Sequence, residues 1–489
     1  ALEGDFRAVA KHLARGFSPD AAYRVGEEER DAFAEVAGVP EKARWTALMA
    51  SCLKGQHKTV ALLLKARADP ARTTHEGLSP LHVAAYTGSG DAVGQLLQAG
   101  SNVDQAEYNR GQTPLILAAR GRHAQVASLL VERKARVNAA DKIDGMTALL
   151  YSIDGPLVLV ECLLRASADV TLKNFYGQTP LLYAALLGSS RGGPAARAKG
   201  KAGAAPPPSS VIKLLLDAKA QVNAKNYDEY SALMIAAHQG QSATVATLIE
   251  HKADIEAKAR QGQTALMIAS AGGHSSVVQR LISSKAALNV TDEQGQSAVV
   301  KALINGHASV VRTLLTARAD ANLLDHDGLC PLAHCVSYSQ LNSRNVIETV
   351  LTHGTRLKVD QADHRFRSPL MFAAEALDLY ACQRLLDRKA SASWLDDKGN
   401  GAVLLAAAQD PRRLPVPTGT GSIAQEAGSS ALHDKLLTTI ASASASSPSS
   451  PPAAAAAAAA SVSTSALAVG EEEQPGGAAP SGEGRGAPA

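Results

Sequence analysis

The feature that most constrains this chain is its periodicity. Short motifs of the form Thr/Ser-Pro/Ala-Leu/Val recur at Thr46, Ser79, Thr113, Thr147, Thr179, Ser231, Thr264 and Ser297, and more loosely at Cys330, Ser368 and Gly401. Most neighbours stand about 33 residues apart. A chain of 489 residues would ordinarily divide into several globular domains. A period of this length predicts instead one core assembled from stacked copies. The longer intervals, Thr179 to Ser231 and Cys330 to Ser368, predict insertions inside a copy.

Each copy has the same grammar. A Gly-x-Thr step such as Gly111-Gln112-Thr113-Pro114 opens it, where the hydroxyl caps a helix and proline fits the first turn. A short Ala-rich helix follows (Leu115 to Arg120), and a glycine such as Gly88, Gly240 or Gly306 ends it. A second helix carries apolar residues at i, i+3 and i+4: Val126, Leu129, Leu130; Val245, Leu248, Ile249; Val311, Leu314, Leu315. One such pair cannot bury its apolar stripe alone, so the pattern demands an array. The composition agrees, being 46% hydrophobic but only 4% aromatic; alanine and leucine suit close helix packing.

These units resemble the ankyrin-repeat family, most fully at Gly77-Leu78-Ser79-Pro80-Leu81-His82-Val83-Ala84-Ala85. The resemblance implies an all-α solenoid of about eleven helix-turn-helix units joined by hairpin-like loops. The family's histidine survives only as His82; Met49, Met234, Met267 and Met371 replace it in some units, and Ile116, Leu150 and Leu182 in others. The glycine ending the second helix remains as Gly100 and Gly354, while Arg67, Lys134, Lys219, Lys252, Lys285, Arg318 and Lys389 stand there elsewhere. A non-glycine residue in a left-handed cap costs about 1 kcal/mol, and a cation beside the helix C-terminus returns about 0.3–1 kcal/mol. The array is expected over residues 44–440, with a flexible insertion at 189–210. Residues 1–43 read as an atypical N-terminal cap, a partial repeat plus an extra segment, and residues 441–489 as a disordered Ala/Ser/Pro/Gly-rich tail.

Catalytic chemistry has no recognisable seat. The nearest approach to a phosphate-binding loop, at Gly200-Lys201, has Ala195 and Ala202 where glycine and Ser/Thr are required. Cys330, His334 and Cys335 begin a repeat helix and read as a cap and packing positions rather than metal ligands. His57, His123, His274 and His307 recur just after the glycine between helices and read as structural. No catalytic, cofactor-binding or metal site is assigned, no cofactor or small-molecule substrate is expected, and the chain is read as a non-enzyme.

A formal charge of +3 gives no field that argues for nucleic acid, and no apolar run reaches the length of a membrane span. Five scattered cysteines favour a reducing compartment, hence a cytoplasmic location with the nucleus as alternative. The resemblance implies partners, themselves proteins, on the concave face formed by hairpin tips and first helices. Mapped residue by residue, the partner-binding candidates are Tyr86, Arg110, Arg120, Phe175, Tyr176, Tyr227, Tyr230, His238, Arg260, Tyr338 and Arg365. Phe175, Tyr176, Tyr227 and Tyr230 concentrate aromatics in a chain that has few. Packing against the adjacent hairpin is the competing role, for Tyr230 above all. The expected function is a non-catalytic interaction scaffold or adaptor; the alternative is the regulatory ankyrin region of a longer enzyme or channel.

Overall fold

Every residue at the eleven motif positions immediately precedes a short helix. Thr46 Oγ1 accepts the N–H of Met49 at 3.2 Å, Thr147 Oγ1 that of Leu150 at 3.3 Å and Thr113 Oγ1 that of Ile116 at 3.4 Å. Even Cys330 repeats the pattern, its sulfur lying 3.4 Å from the N–H of Ala333. Each bond satisfies a donor that the helix's first turn leaves without a partner. The computed structural model describes residues 6–20, 22–23, 45–187, 207–337, 343–409 and 435–443. Of the tail expected at 441–489, residues 441–443 instead continue a helix, and the rest, like most of the expected insertion at 189–210, lies outside these residues.

The chain divides into two compact parts, Ala1–His364 and Arg365–Ala489. In the first, helix pairs follow one another as Ala47–Leu53 with His57–Lys65 (repeat 1), Pro80–Thr87 with Gly90–Gln98 (repeat 2), Pro114–Arg120 with Ala124–Glu132 (repeat 3), and Ala148–Ser152 with Leu157–Arg165 (repeat 4). Then come Pro180–Leu187 with Pro208–Asp217 (repeat 5), Ala232–His238 with Ser242–Glu250 (repeat 6), and Ala265–Ala271 with Ser275–Ser283 (repeat 7). Ala298–Ile304 with Ala308–Thr316 (repeat 8) and Pro331–Ser337 with Ser343–His353 (repeat 9) complete it. The second part holds the pair Pro369–Glu375 and Leu379–Asp387 (repeat 10), the helix Ala402–Ala408 (repeat 11) and a helix over 435–443. The longer motif intervals are explained by extra residues between the two helices of repeat 5, and in repeat 9 by a longer connection together with a longer second helix.

Within the first part, first helices stack on first helices and second on second. Ala84, Ala85, Ala118 and Ala119 are fully buried, which lets layers approach to about 8–10 Å. In the second helix of repeat 3, Val126 and Leu130 are buried while Leu129 is half-exposed and covers Gly90. Leu130, not its neighbour, is therefore the residue between layers.

The N-terminal helix Phe6–Ala14 packs on His57–Lys65 of repeat 1, as a preceding second helix should. Asp20 Oδ1 accepts the N–H of Asp69 at 3.1 Å. The same bond joins Asp104 to Arg136 N, Asn138 to Asp169 N and Asn223 to Asp254 N in later copies. Ala22 pairs with the cap residue Thr46, as Ala140 does with Thr147 and Lys225 with Ser231. The two-stranded pair β1 (Ala22–Tyr23) and β2 (Trp45–Thr46) is thus the base of a hairpin tip. Residues 24–44 stand in the chain where other copies have a tip of a few residues. The helix expected over Glu27–Val36 falls among them, outside the described residues.

The left-handed caps are occupied as anticipated: Arg67, Lys134, Lys219, Lys252, Lys285, Arg318 and Lys389 have φ of 63–70°. Gly354 departs from that expectation. It is not left-handed; its N–H bonds to Val350 O at 2.8 Å, extending the long helix Ser343–His353, and Arg356 (φ 57°) makes the turn instead. The insertion in repeat 5 is bounded by helices ending at Leu187 and starting at Pro208, so Pro208–Ser210, read as loop, are helical.

Candidate binding surface

Several hairpin tips are built around one side-chain acceptor. Asn174 Oδ1 takes the N–H groups of Tyr176 (3.1 Å) and Gln178 (2.9 Å), and Asn226 Oδ1 those of Asp228 (3.1 Å) and Tyr230 (2.8 Å). Asp292 and Asp325 do the same two and four residues on. Such side-chain bonds fold the backbone into a fixed turn without help from a ladder.

A carboxylate in this place has a second oxygen to satisfy, and in three copies the first helix of the same copy supplies the donor. Tyr151 Oη donates to Asp141 Oδ2 at 2.6 Å, Lys301 Nζ lies 2.7 Å from Asp292 Oδ2, and His334 Nε2 lies 2.7 Å from Asp325 Oδ2. Where the tip carries Asn226 or Ala259, the corresponding helix residue is apolar, Ile235 or Ile268. Burial and the Asp141 bond both raise the Tyr151 phenol above its ordinary range. It stays a neutral donor.

Tips are then stapled to one another. Tyr108 N donates to Glu76 O at 2.7 Å, Lys142 N to Arg110 O at 2.6 Å and Phe175 N to Asp144 O at 2.9 Å. The side chain at the same residue lies flat on the glycine of the preceding tip. A Cβ on Gly145 (φ 67°) would sit 2.8 Å from the Phe175 ring, and one on Gly177 (φ 73°) 2.8 Å from that of Tyr227. Only glycine suits both the left-handed backbone and the ring above it. Phe175 and Tyr227, rather than Tyr230, are therefore the aromatics that pack on a neighbouring hairpin. They do so with one face only, since Phe175, Tyr176 and Tyr227 remain about 60% exposed.

The remaining candidates fall as follows. Tyr176 Oη donates to Asp144 Oδ1 at 3.2 Å. Tyr230 is half-buried, and its carbonyl accepts Asn226 N at 3.1 Å. Arg260 Nη2 donates to Tyr227 O at 3.0 Å. Arg120 Nη1 donates to Gln112 Oε1 at 3.1 Å, its guanidinium lies 5.5 Å from the centre of the Tyr151 ring, and burial lowers its pKa. Arg110 is half-buried at its tip, with its N–H on Glu107 Oε1. Tyr86 is half-buried and His238 exposed, each at the end of a first helix. Arg365 is exposed in the second compact part, and Tyr338 lies outside the described residues.

The structure thus brings Tyr86, Arg110, Arg120, Phe175, Tyr176, Tyr227, Tyr230, His238 and Arg260 onto adjoining copies 2 to 7. It adds residues that sequence reasoning passed over: Tyr108, Ile143 and Tyr151, the first two exposed. Tyr151 ties Gln112, Arg120 and Asp141 into one network. Residues 188–206 of repeat 5, in sequence between Tyr176 and Tyr227, lie outside the described residues. The helix before them runs eight residues from its cap, about 12 Å.

The histidine column has a different task. His123, His274 and His307 bond through Nε2 to the carbonyls of Tyr86, His238 and Ala271 in the preceding copy, at 2.9–3.0 Å. Each ring also covers a preceding glycine, Gly88, Gly240 or Gly273. Among the described residues no group of three or more His, Cys, Asp or Glu side chains is placed to hold a metal ion, and no helix is long and apolar enough to cross a membrane.

Residues 21–107, 102–174, 204–292 and 266–363 match a family model described as ankyrin repeats in three copies. The chain is 40% identical over 111 residues to the mouse B-cell lymphoma 3 protein homolog, covering 22% of this chain and 25% of that one. It is 27% identical over 175 residues to the Drosophila melanogaster transient receptor potential channel pyrexia (36% and 18%). It is 32% identical over 130 residues to the zebrafish (Danio rerio) putative palmitoyltransferase ZDHHC13 (26% and 20%). The matched stretches span a quarter or less of these relatives' own lengths.

Proposed function

Because the chain belongs to the ankyrin-repeat family, we propose that it is a non-catalytic scaffold or adaptor whose protein partners dock on the tips and first helices of repeats 2 to 7. Ankyrin repeats mediate protein interaction. The observation that carries the placement is the run of exposed apolar side chains on consecutive tips: Tyr108, Ile143, Phe175 with Tyr176, and Tyr227. Rings held from beneath and bonded through their backbones lose little freedom on binding, which favours affinity. All five cysteines are unpaired, which supports a reducing compartment such as the cytoplasm or nucleus.

The test is affinity capture on the intact chain, with Phe175→Ala/Tyr227→Ala as the comparison. The expected outcome is loss of the specifically retained proteins with an unchanged melting profile. Retention of the same set by the double variant and by Tyr108→Ala overturns the placement. A second reading, an ankyrin region regulating a longer enzyme or channel, is supported by the likeness to proteins named as a channel and as a putative palmitoyltransferase. The full-length transcript decides that point.

A further inference from the structure

Resting on the binding face just described, we propose that its occupant is an extended segment in polyproline II conformation that sets a proline or small apolar residue on each successive tip. The argument begins with spacing. Packed helical layers repeat every 8–10 Å or so, and the tips, one per layer, inherit that interval. Three residues of polyproline II advance about 9.3 Å and return the same face. Like-facing residues of a β-strand recur at about 6.8 Å, out of step with the row. An α-helix presents its apolar stripe every three or four residues, about 5–6 Å, so half of it would meet nothing.

The chemistry of the row points the same way. Tyr108, Phe175 and Tyr227 each rest one ring face on the glycine beneath, Gly77, Gly145 or Gly177, and leave the other open. A flat, rigid, open aromatic face is what a pyrrolidine ring stacks on, and aromatic-lined grooves are the known way of reading such segments. In repeat 4 the Lys142 stem covers Gly111 in the ring's place, and exposed Ile143 continues the apolar row beside it.

A polyproline II backbone has no internal hydrogen bonds, so its carbonyls need donors. Arg110 and Lys142 flank the first two positions, and neither forms an ion pair among the described residues. The charges bordering the row are of both signs: Arg110, Lys142 and Arg260 against Asp144, Asp228 and Glu229. An acidic or basic partner would gain on some tips and lose on others. An apolar anchor repeated at the layer interval is indifferent to them.

The test uses the full chain and a fluorescein-labelled peptide of about fifteen residues with proline at every third position, followed by fluorescence polarisation. Controls of equal length place proline at every second or every fourth position, and a helical Ala/Glu/Lys peptide provides a third. Saturable binding of the first peptide, at least about tenfold tighter than every control and weakened about tenfold or more by Phe175→Ala or Tyr227→Ala, is the expected result. Equal affinity for the re-spaced or helical peptides overturns the proposal, as does the absence of saturable binding. Binding that survives Phe175→Ala, Tyr227→Ala and Tyr108→Ala overturns it too. If no peptide binds while the double variant still loses the captured proteins, the conformation proposed for the occupant is wrong and the docking face stands. If both assays are unaffected by the ring variants, both fail.

Discussion

His82 offers the sharpest check on how these repeats are held. It is fully buried, and Ser79 N donates to its Nδ1 at 3.1 Å while its Nε2 bonds to Gln112 O at 3.2 Å in the next copy. An Nδ1 that accepts a backbone N–H carries no proton, so Nε2 carries it, and the ring is neutral. Adding a proton would set two N–H groups face to face in a fully buried site. Burial correspondingly brings the pKa down to about 4, from 6.5. For a histidine whose folded pKa is lowered, stability is complete above the unfolded value and declines as pH falls from there towards the folded one. Acidification from about pH 7.5 to about pH 4.5 should therefore cost repeat 2 about 2.5 kcal/mol through this residue alone.

Replacing His82 by methionine, the residue at the matching place in Met234 and Met267, removes the titration and keeps an apolar filler. The assay is hydrogen exchange of the Leu81–Thr87 amides in both proteins, corrected for intrinsic rates, across that pH range. Wild type should lose about seventyfold more protection than the variant on acidification. Equal losses in the two proteins would refute the reasoning, since the neutral ring would then contribute nothing that protonation removes.

Four further outcomes follow from the packing. Lys301→Met leaves the Asp292 carboxylate with backbone donors only and should cost about 2–3 kcal/mol in urea melts, an effect that Asp292→Asn in the same background should largely reverse. Tyr151→Phe removes the donor to Asp141 and should cost about 1–2 kcal/mol, seen as faster exchange of the Asp144 and Met146 amides. Glu229 holds φ 64° where most other tips carry glycine, so Glu229→Gly should raise stability by about 0.5–1 kcal/mol; a loss would mean the side chain is doing more than occupying the turn. Leu130→Ala should cost about 2–5 kcal/mol, and Leu129→Ala clearly less, in thermal melts of the two variants side by side.

The helices were legible in the sequence because what defines them is local. A hydroxyl cap, a proline in the first turn and an i, i+3, i+4 stripe lie within a dozen residues, and the period aligns them. Leu129 and Leu130 mark where that stops: both fit the stripe, and the helix's rotation against its neighbours decides which is buried. Gly354 marks another, since a helix longer than its counterparts moved the left-handed turn to Arg356. The exposed aromatics Phe175, Tyr176 and Tyr227 stood out in a chain poor in aromatics. The carboxylate–donor pairs did not. Their partners lie nine or ten residues apart and are three different side chains, Tyr151, Lys301 and His334, each ordinary alone. A two-residue strand at Ala22–Tyr23 leaves no periodic trace, so only its pairing with Trp45–Thr46 reveals the hairpin base.

The backbone bonds between tips and turns run one way. Tyr108, Lys142, Phe175 and Arg136 give their N–H groups to the copy before them, and Glu76, Arg110, Asp144 and Asp104 receive. A stack cut at both ends would therefore carry backbone N–H donors on its leading surface and their acceptors on its trailing one, although the side chains of His82, Lys173 and Lys225 donate in the opposite sense. Two such fragments are complementary head to tail and mismatched face to face, a geometry that grows open filaments rather than closed dimers. By taking up the Asp69 N–H, Asp20 occupies part of the surface through which such growth would start.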